Sequence, residues 1–401
     1  MAANRNSAEV GSPAAKPAFA KPSVTAGIYI HIPFCEKKCF YCDFYSIENH
    51  SQRDEFVNSL IREIELFSQS HSRLEADTIF FGGGTPSLLS AKELDTILNV
   101  LHRHFDITED AEFTMECNPG TVNTEHLSDY RQLGVNRLSF GVQSFFDDEL
   151  SFLSRIHNSK EAVEAIESAR AAGFDNINID LIYALPNQSK PRLAANLEKA
   201  VALNPTHISA YSLIVEPGTP LFSAVANGKV HTLDEATEAK MYESVMTFLE
   251  EAGYNHYEVS NYSRPGFECK HNLKYWNGEE YVGFGPSAHS HVSNTRWWNV
   301  SNLTGYIASL ANNRTPISAK ENLSKSQIVD EYVLLHLRQG KVDLKTLRAK
   351  FGITLESDFI LEMNKAGYLN VSGDEIRLTR AGFTVCDEIA EEILAKHSVS
   401  V

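Results

Sequence analysis

The sequence predicts an α/β fold: an incomplete (β/α)6 barrel, open on one side, with an aromatic-rich extension and a small C-terminal domain. Two observations carry this. Apolar strand-like runs at 28–34, 77–82, 112–117, 137–142, 176–182 and 207–215 alternate with amphipathic patterns at 52–69, 91–104, 124–133, 159–172, 190–203 and 234–252. Such alternation marks a parallel sheet with crossover helices. Polar residues and glycines also gather where the runs end, and in β/α barrels the chemistry sits at the C-terminal ends of strands. Six repeats leave a barrel unclosed, and the opening would admit a large substrate.

The chain has 401 residues, enough for one large domain and a smaller one. Residues 1–24, rich in Ala, Pro, Ser and Lys without periodicity, read as a disordered tail. The barrel is placed at 25–255, the aromatic-rich region at 256–322 and the C-terminal domain at 323–401. A net charge of -16 speaks against broad binding to nucleic acid or anionic lipid. No apolar run reaches the ~20 residues of a membrane span, and no short apolar run follows a basic start. These features predict a cytoplasmic protein.

The first strand runs into Cys35-Glu-Lys-Lys-Cys39-Phe-Tyr-Cys42. Three thiolates on one tight loop can hold three irons of a [4Fe-4S] cubane and leave the fourth iron open. The neighbouring Phe34, Phe40, Tyr41, Phe44 and Tyr45 are expected to surround the thiolates and limit water access. The plain alternatives are a zinc knot and a disulfide. Zinc needs four ligands, usually in two pairs, and no second pair exists here. Disulfides need an oxidising compartment. Cys117, Cys269 and Cys386 read as buried, inert thiols.

Further residues stand at strand ends. Gly82-Gly83-Gly84-Thr85-Pro86 follows the second strand, and its missing side chains would let backbone approach a ligand closely. A tight turn is the plain alternative. Glu116 ends the third strand, Gln143 the fourth, Asp180 interrupts the fifth, and Arg155 lies in a loop where it could pair with a carboxylate.

The cysteine spacing resembles that of the radical S-adenosylmethionine (SAM) superfamily, in which the open iron chelates the amino and carboxylate groups of SAM. The GGGTP turn, Glu116, Gly141-Val142-Gln143 and Ile179-Asp180-Leu181-Ile182-Tyr183 are similar to segments lining the SAM pocket in the oxygen-independent coproporphyrinogen oxidase group. The resemblance is collinear from about Ile28 to about Ser290. It implies that Tyr29, Gly83, Gly84, Thr85 and Glu116 serve SAM, with Gln143, Arg155 and Asp180 further along the cleft.

All three tryptophans lie in one later region, among Cys269-Lys-His271-Asn272-Leu-Lys-Tyr275-Trp276 and the aromatics near it. Flat aromatic surfaces beside a histidine suit a porphyrin, and a core histidine in an aromatic minicore is the plain alternative. His271, Asn272, Tyr275 and Trp276 match the haem-binding motif of the HemW branch of the superfamily, with Cys269 a rival iron ligand. The stretch Tyr281-Val-Gly-Phe-Gly-Pro-Ser-Ala-His289-Ser-His291 is similar to segments that close the SAM pocket in the family, and both histidines read as structural.

From about Ser324, helical patterns at 325–338, 343–350 and 355–366 precede two short strand runs, a pattern that looks like a winged helix. Eleven Lys or Arg against thirteen Asp or Glu in 320–401 speak against DNA as its partner, so it reads as a lid or docking module. The resemblance implies one of two functions. One is a haem chaperone that carries haem as cargo to acceptors such as respiratory enzymes, with room for transient membrane association and a homodimer. The other is an oxygen-independent coproporphyrinogen III dehydrogenase. The oxidase pattern has a further cysteine where this chain has Phe44, which together with the His271 motif favours the chaperone.

Overall fold

The computed structural model describes residues 25–355 and 358–396, so the expected tail at 1–24 lies outside the described residues. Strand β1 (Ala26–Ile32) shows how the barrel is built. Ile28, Ile30 and Ile32 are fully buried against the helical layer, and the alternate residues Tyr29 and His31 turn to the inside. Then follow α1 (Arg53–Ser70), β2 (Glu75–Gly83), α2 (Ala91–His104), β3 (Asp106–Cys117), α3 (Thr124–Gln132), β4 (Arg137–Gln143) and the short α4 (Asp147–Phe152). The barrel continues through α5 (Ser159–Ala171), β5 (Asn176–Tyr183), α6 (Lys190–Ala202), β6 (His207–Ser212), α7 (Pro220–Ala226) and α8 (Glu235–Glu251). Helices start where caps dictate. Ser90 and Glu93 form a capping box on α2, and Asn158 and Glu161 do the same on α5.

The expected strands and helices agree with these elements to within a few residues, apart from three differences. Strand β3 starts at Asp106 rather than 112, because the polar run Asp106–Ala111 has no apolar alternation yet pairs with the start of β2. Strand β6 stops at Ser212, where the chain leaves the sheet to form one wall of the cleft described below. Helices α4 and α7 are too short to show a periodicity.

The aromatic-rich region extends the sheet at both edges. Strands β7 (Asn255–Glu258) and β8 (Asn261–Ser263) add antiparallel beside β6. After α9 (Lys270–Asn277), β9 (Tyr281–Phe284) pairs parallel with β1, and β10 (His289–Val292), β11 (Thr295–Asn299), α10 (Leu303–Ala311) and β12 (Ile317–Asn322) complete that side. The sheet order is β12-β11-β10-β9-β1-β2-β3-β4-β5-β6-β8-β7, an open array rather than a closed barrel. These additions escape sequence reading because strands of three to six residues carry little alternation.

The C-terminal unit comprises α11 (Lys325–Arg338), β13 (Lys341–Asp343), the helical turn α12 (Leu344–Thr346) continuing into a π turn at Leu347–Phe351, and α13 (Asp358–Ala366). A hairpin of β14 (Leu369–Ser372) and β15 (Glu375–Leu378) forms the expected wing, joined by β13, before α14 (Arg380–Phe383) and α15 (Cys386–Lys396). Its own core includes Val333, Leu337, Leu347, Leu369 and Ile376. It docks on the barrel through Val259 N–H to Arg338 O at 2.9 Å and the Arg296–Glu331 ion pair at 2.6 Å.

Candidate functional site

The C-terminal ends of the parallel strands surround a cleft of about 400 Å³. Its walls bring together Cys35, Cys39 and Cys42 with Gly83, Gly84, Thr85, Glu116, Gln143, Arg155 and Asp180. Residues spread over nearly 150 positions in the chain thus converge because each ends, or follows, a neighbouring strand.

Backbone hydrogen bonds hold the cysteine loop. Cys35 N–H donates to Ile47 O at 2.9 Å, Gly84 N–H to Ile32 O at 2.8 Å and Thr85 N–H to Phe34 O at 2.7 Å. This gives the glycine run a reason other than ligand approach. Gly83 has φ +107°, and a Cβ there would sit 2.5 Å from the His31 ring. A Cβ on Gly84 would lie 2.7 Å from Phe34 O. The turn needs glycine because protein backbone packs against protein there.

Side chains reach two of the sulfurs. Thr85 Oγ1 donates to Cys35 Sγ at 3.4 Å, and Arg155 Nη1 donates to Cys39 Sγ at 3.2 Å while Nη2 donates to Gly141 O at 2.6 Å. Thr85 and Arg155, expected beside SAM, therefore also support the cysteines. Burial pushes the Cys35 thiol up, and the Cys42 thiol up to about 11. The aromatic shell is narrower than expected. Tyr41 and Phe44 line the cleft, Phe44 with 63% of its surface exposed, whereas Phe34 packs edge-on to Phe56 in the core.

These residues fit a cluster with a cationic ligand. Among the described residues, no three His, Cys, Asp or Glu side chains converge as they would round one metal ion. In a cubane each thiolate binds a different iron, so its ligands stand apart. Burial, the charge of Asp180 and little compensation raise the Glu116 carboxyl to about 8, although Gly83 N–H donates to it at 3.2 Å. Burial also raises Asp180, against hydrogen bonds from Asn178 and Ser209. A carboxyl raised to about 8 beside a second one, whose charged form is supported by Asn178, Ser209, Arg137 and Arg155, invites a positive group against the pair. Arg155 Nε is buried without a partner, a free donor for an anionic one. Gln143 has φ +68°, a strained conformation for a non-glycine residue that aims strand β4's last side chain into the cleft.

Removing the Thr85 hydroxyl should make the cluster harder to reduce, because a hydrogen bond to a ligating sulfur stabilises the more negative, reduced state. The expected result for Thr85→Val is a midpoint potential more negative than wild type with iron content unchanged, read by EPR-monitored redox titration. An unshifted potential would remove this hydroxyl from the cluster's environment.

The aromatic motif lies elsewhere. Helix α9 closes the N-terminal end of the barrel, with Glu112 accepting from Lys270 N–H at 3.0 Å and His271 N–H at 3.1 Å. His271 is 1% exposed, its Nδ1 2.8 Å from Thr78 Oγ1 and its Nε2 2.9 Å from Tyr275 OH. Burial, then the charges of Lys274 and Arg137, lower its pKa to about 3, so the ring is neutral. The imidazole is closed in rather than open to a ligand, because i and i+4 on α9 turn His271 and Tyr275 inward together. Asn272 and Trp276, one position on, are half-buried. Cys269 is fully buried, with Sγ 3.4 Å from Glu112 Oε1. Tyr29 sits between the two regions: its ring stacks near His271 and Phe80, and its hydroxyl lies 3.2 Å from His31 Nδ1. The Gly283–Gly285 run packs on β1, where a Cβ on Gly285 would meet His31 O at 2.5 Å. His289 stacks on Trp298 and His291 leans on Tyr281 in the β10 region.

Sequence reasoning missed the polar lining of the barrel: Glu112, Arg137, Ser139, Asn178, His207 and Ser209 are all buried. The signal was present in Asn176-Ile-Asn178-Ile-Asp180-Leu, where every second residue of a central strand is polar.

The family model of the Radical SAM superfamily matches residues 29–200. A protein of Bacillus subtilis (strain 168) named heme chaperone HemW is 37% identical over 90% of this chain and 97% of its own length. The HemW of Mycobacterium tuberculosis (strain CDC 1551 / Oshkosh) is 37% identical over 93% and 96%, and that of Escherichia coli (strain K12) 41% over 66% and 70%. Among solved structures, coproporphyrinogen III oxidase (HemN) from Escherichia coli, described as a radical SAM enzyme, shares the fold with a TM-score of 0.80 at 23% identity, covering 93% of this chain and 90% of that one. Similarity that runs at this level from the cysteine loop into the C-terminal unit places the chain in the HemW family of the radical SAM superfamily.

Proposed function

We propose that this protein is a haem chaperone, binding haem and passing it to acceptor proteins such as respiratory enzymes, in the cytoplasm and without a nucleic-acid partner. The observation that carries the reading is its near full-length similarity to proteins named heme chaperone HemW. Among the described residues no helix is long and apolar enough to cross a membrane. Transient association with a membrane belongs to the proposal. A homodimer belongs to the same proposal.

Cys35, Cys39 and Cys42 would hold a [4Fe-4S] cluster, whose open iron would take the amino and carboxylate groups of SAM. With the amino group on iron, Glu116 and Asp180 would face the sulfonium of SAM, its remaining positive group, while Arg155 would steady Cys39 and offer its free Nε–H to an anionic group. Gly83, Gly84, Thr85 and Gln143 wall the pocket, and Tyr29 backs it from the barrel interior. The motif His271, Asn272, Tyr275 and Trp276 would receive haem once α9 yields the contacts of His271 with Thr78 and Tyr275.

One anaerobic experiment tests the reading: the cluster-loaded protein is assayed in parallel for haem binding and for coproporphyrinogen decarboxylation. Haem binding without decarboxylation is expected, and decarboxylation without haem binding makes the protein the dehydrogenase. His271→Ala is expected to shift the haem absorption band and weaken binding at least about tenfold, leaving iron and sulfide content unchanged. Wild-type haem spectra in His271→Ala, with Cys269→Ala losing them, would make the thiolate the ligand.

A further inference from the structure

The cleft and α9 are joined by an unbroken series of buried hydrogen bonds through the barrel interior. At the cleft, Asn178 Nδ2–H donates to Asp180 Oδ1 at 2.6 Å. The amide oxygen of Asn178 lies 2.6 Å from His207 Nδ1, and His207 Nε2 lies 2.7 Å from Tyr257 OH. Tyr257 OH in turn accepts from the backbone N–H of Cys269, the N-cap residue of α9, at 3.3 Å.

The chemistry of these groups gives the series one direction. An amide whose nitrogen donates to a carboxylate presents its oxygen as acceptor, so His207 carries its proton on Nδ1. Its Nε2 is then an acceptor, so Tyr257 donates to it and accepts from Cys269. Every donor points toward Asp180. A chain aligned in this way is polarised by the charge at its end, each bond strengthening the next. His207 is fully buried, which together with the nearby Arg137 charge keeps it neutral, as this arrangement requires.

We propose that Asn178, His207 and Tyr257 are positioning residues that couple charge in the cleft to α9, so that a cation bound against Asp180 weakens the hold on the start of the helix bearing His271. The proposal rests on the reading of the cleft as a site for SAM and of α9 as the haem motif. A positive ligand draws the Asp180 charge toward itself, the bond from Asn178 weakens, and the loss passes through His207 to Tyr257 and Cys269 N–H. Glu112, through the N–H groups of Lys270 and His271, and Thr78, through the His271 ring, then hold the first turn without the Tyr257 contact. Arrival of the cleft ligand thus eases the opening that haem entry or release requires.

The test reads α9 itself. Hydrogen–deuterium exchange of a peptide spanning 269–277 is followed in full-length, cluster-loaded protein with and without SAM, with SAM binding measured separately by calorimetry. SAM should speed exchange of this peptide by about fivefold, the low end of typical coupling between sites. Tyr257→Phe, which removes one hydroxyl remote from the cleft, should keep SAM affinity within about twofold and lose the response. Asp180→Asn supplies a ligand-free arm, speeding α9 exchange in the wild-type background and not in Tyr257→Phe. His207→Gln repeats the break should Tyr257→Phe fail to fold. Unchanged α9 exchange in wild type with SAM bound, or a response that survives in Tyr257→Phe, overturns the proposal. If SAM does not bind, the Asp180→Asn arm still decides it. Absence of haem binding with the exchange response intact tells against the chaperone reading alone.

Discussion

Cys39→Ala protein is expected to lose most of its bound iron and sulfide on anaerobic reconstitution, and Cys35→Ala and Cys42→Ala the same. The three thiols share one cleft, and the loop that carries them is pinned to β1, to the residues following β2 and to the chain near Ile47 by backbone hydrogen bonds. Losing one leaves two thiolates for a cubane. The cost should exceed the ~10–100-fold in affinity typical of residues that only hydrogen-bond a metal ligand. Cys117 is the control: it borders the same cleft, but burial and the Glu116 charge hold its thiol protonated and it ends strand β3 rather than the loop. Iron and sulfide analysis with visible absorption checks the result. Full cluster content in Cys39→Ala, with loss in Cys117→Ala, would sink the assignment.

Glu116→Gln is expected to weaken SAM binding by about 2–5 kcal/mol, the range for removing one partner of a buried, hydrogen-bonded charge pair, or roughly 30-fold and more. Glutamine keeps the shape and an acceptor for Gly83 N–H, so the loss reports charge. The same carboxyl sets a pH dependence. With its pKa raised to about 8 in the ligand-free cleft, Glu116 must release a proton to face a cation, so wild-type SAM affinity should climb with pH to about 8 and then level off. In Glu116→Gln that slope should flatten. The sign for folding is opposite. A carboxyl whose folded pKa lies above its ordinary 4.5 favours the folded state at low pH, and the benefit is lost as pH rises through the folded value. Glu63 and Glu258, raised by burial to about 7, act the same way, so ligand-free protein should melt lower at pH 8.5 than at pH 6. Calorimetry in buffers of different ionisation enthalpy measures both affinity and proton release. Wild-type affinity and slope in Glu116→Gln would give the cation another partner.

Much of the barrel was legible because its signals are local. Period-two and period-3.6 patterns mark β1 to β6 and the longer helices between them, and Ser90-x-x-Glu93 marks a helix start. The added strands β7 to β12 were not legible, since runs of three to six residues show little or no period and their place at both sheet edges depends on partners far along the chain. Gly84 illustrates the same divide. Its conformational freedom is visible in sequence, but the backbone of Phe34 that forbids a Cβ is not.

What the sequence determined by itself is therefore what short spacing controls: three cysteines on one loop at a strand exit, a row of polar residues at strand ends, and His271 with Tyr275 on one helical face. Only the tertiary structure decided what those groups meet. It turned Thr85 and Arg155 onto the Cys35 and Cys39 sulfurs, set Glu116 beside Asp180, and sealed His271 between Thr78 and Tyr275 at the far end of the barrel. The physical reason is that charge state, accessibility and hydrogen-bond partners depend on burial among residues distant in sequence, and no local pattern carries that information.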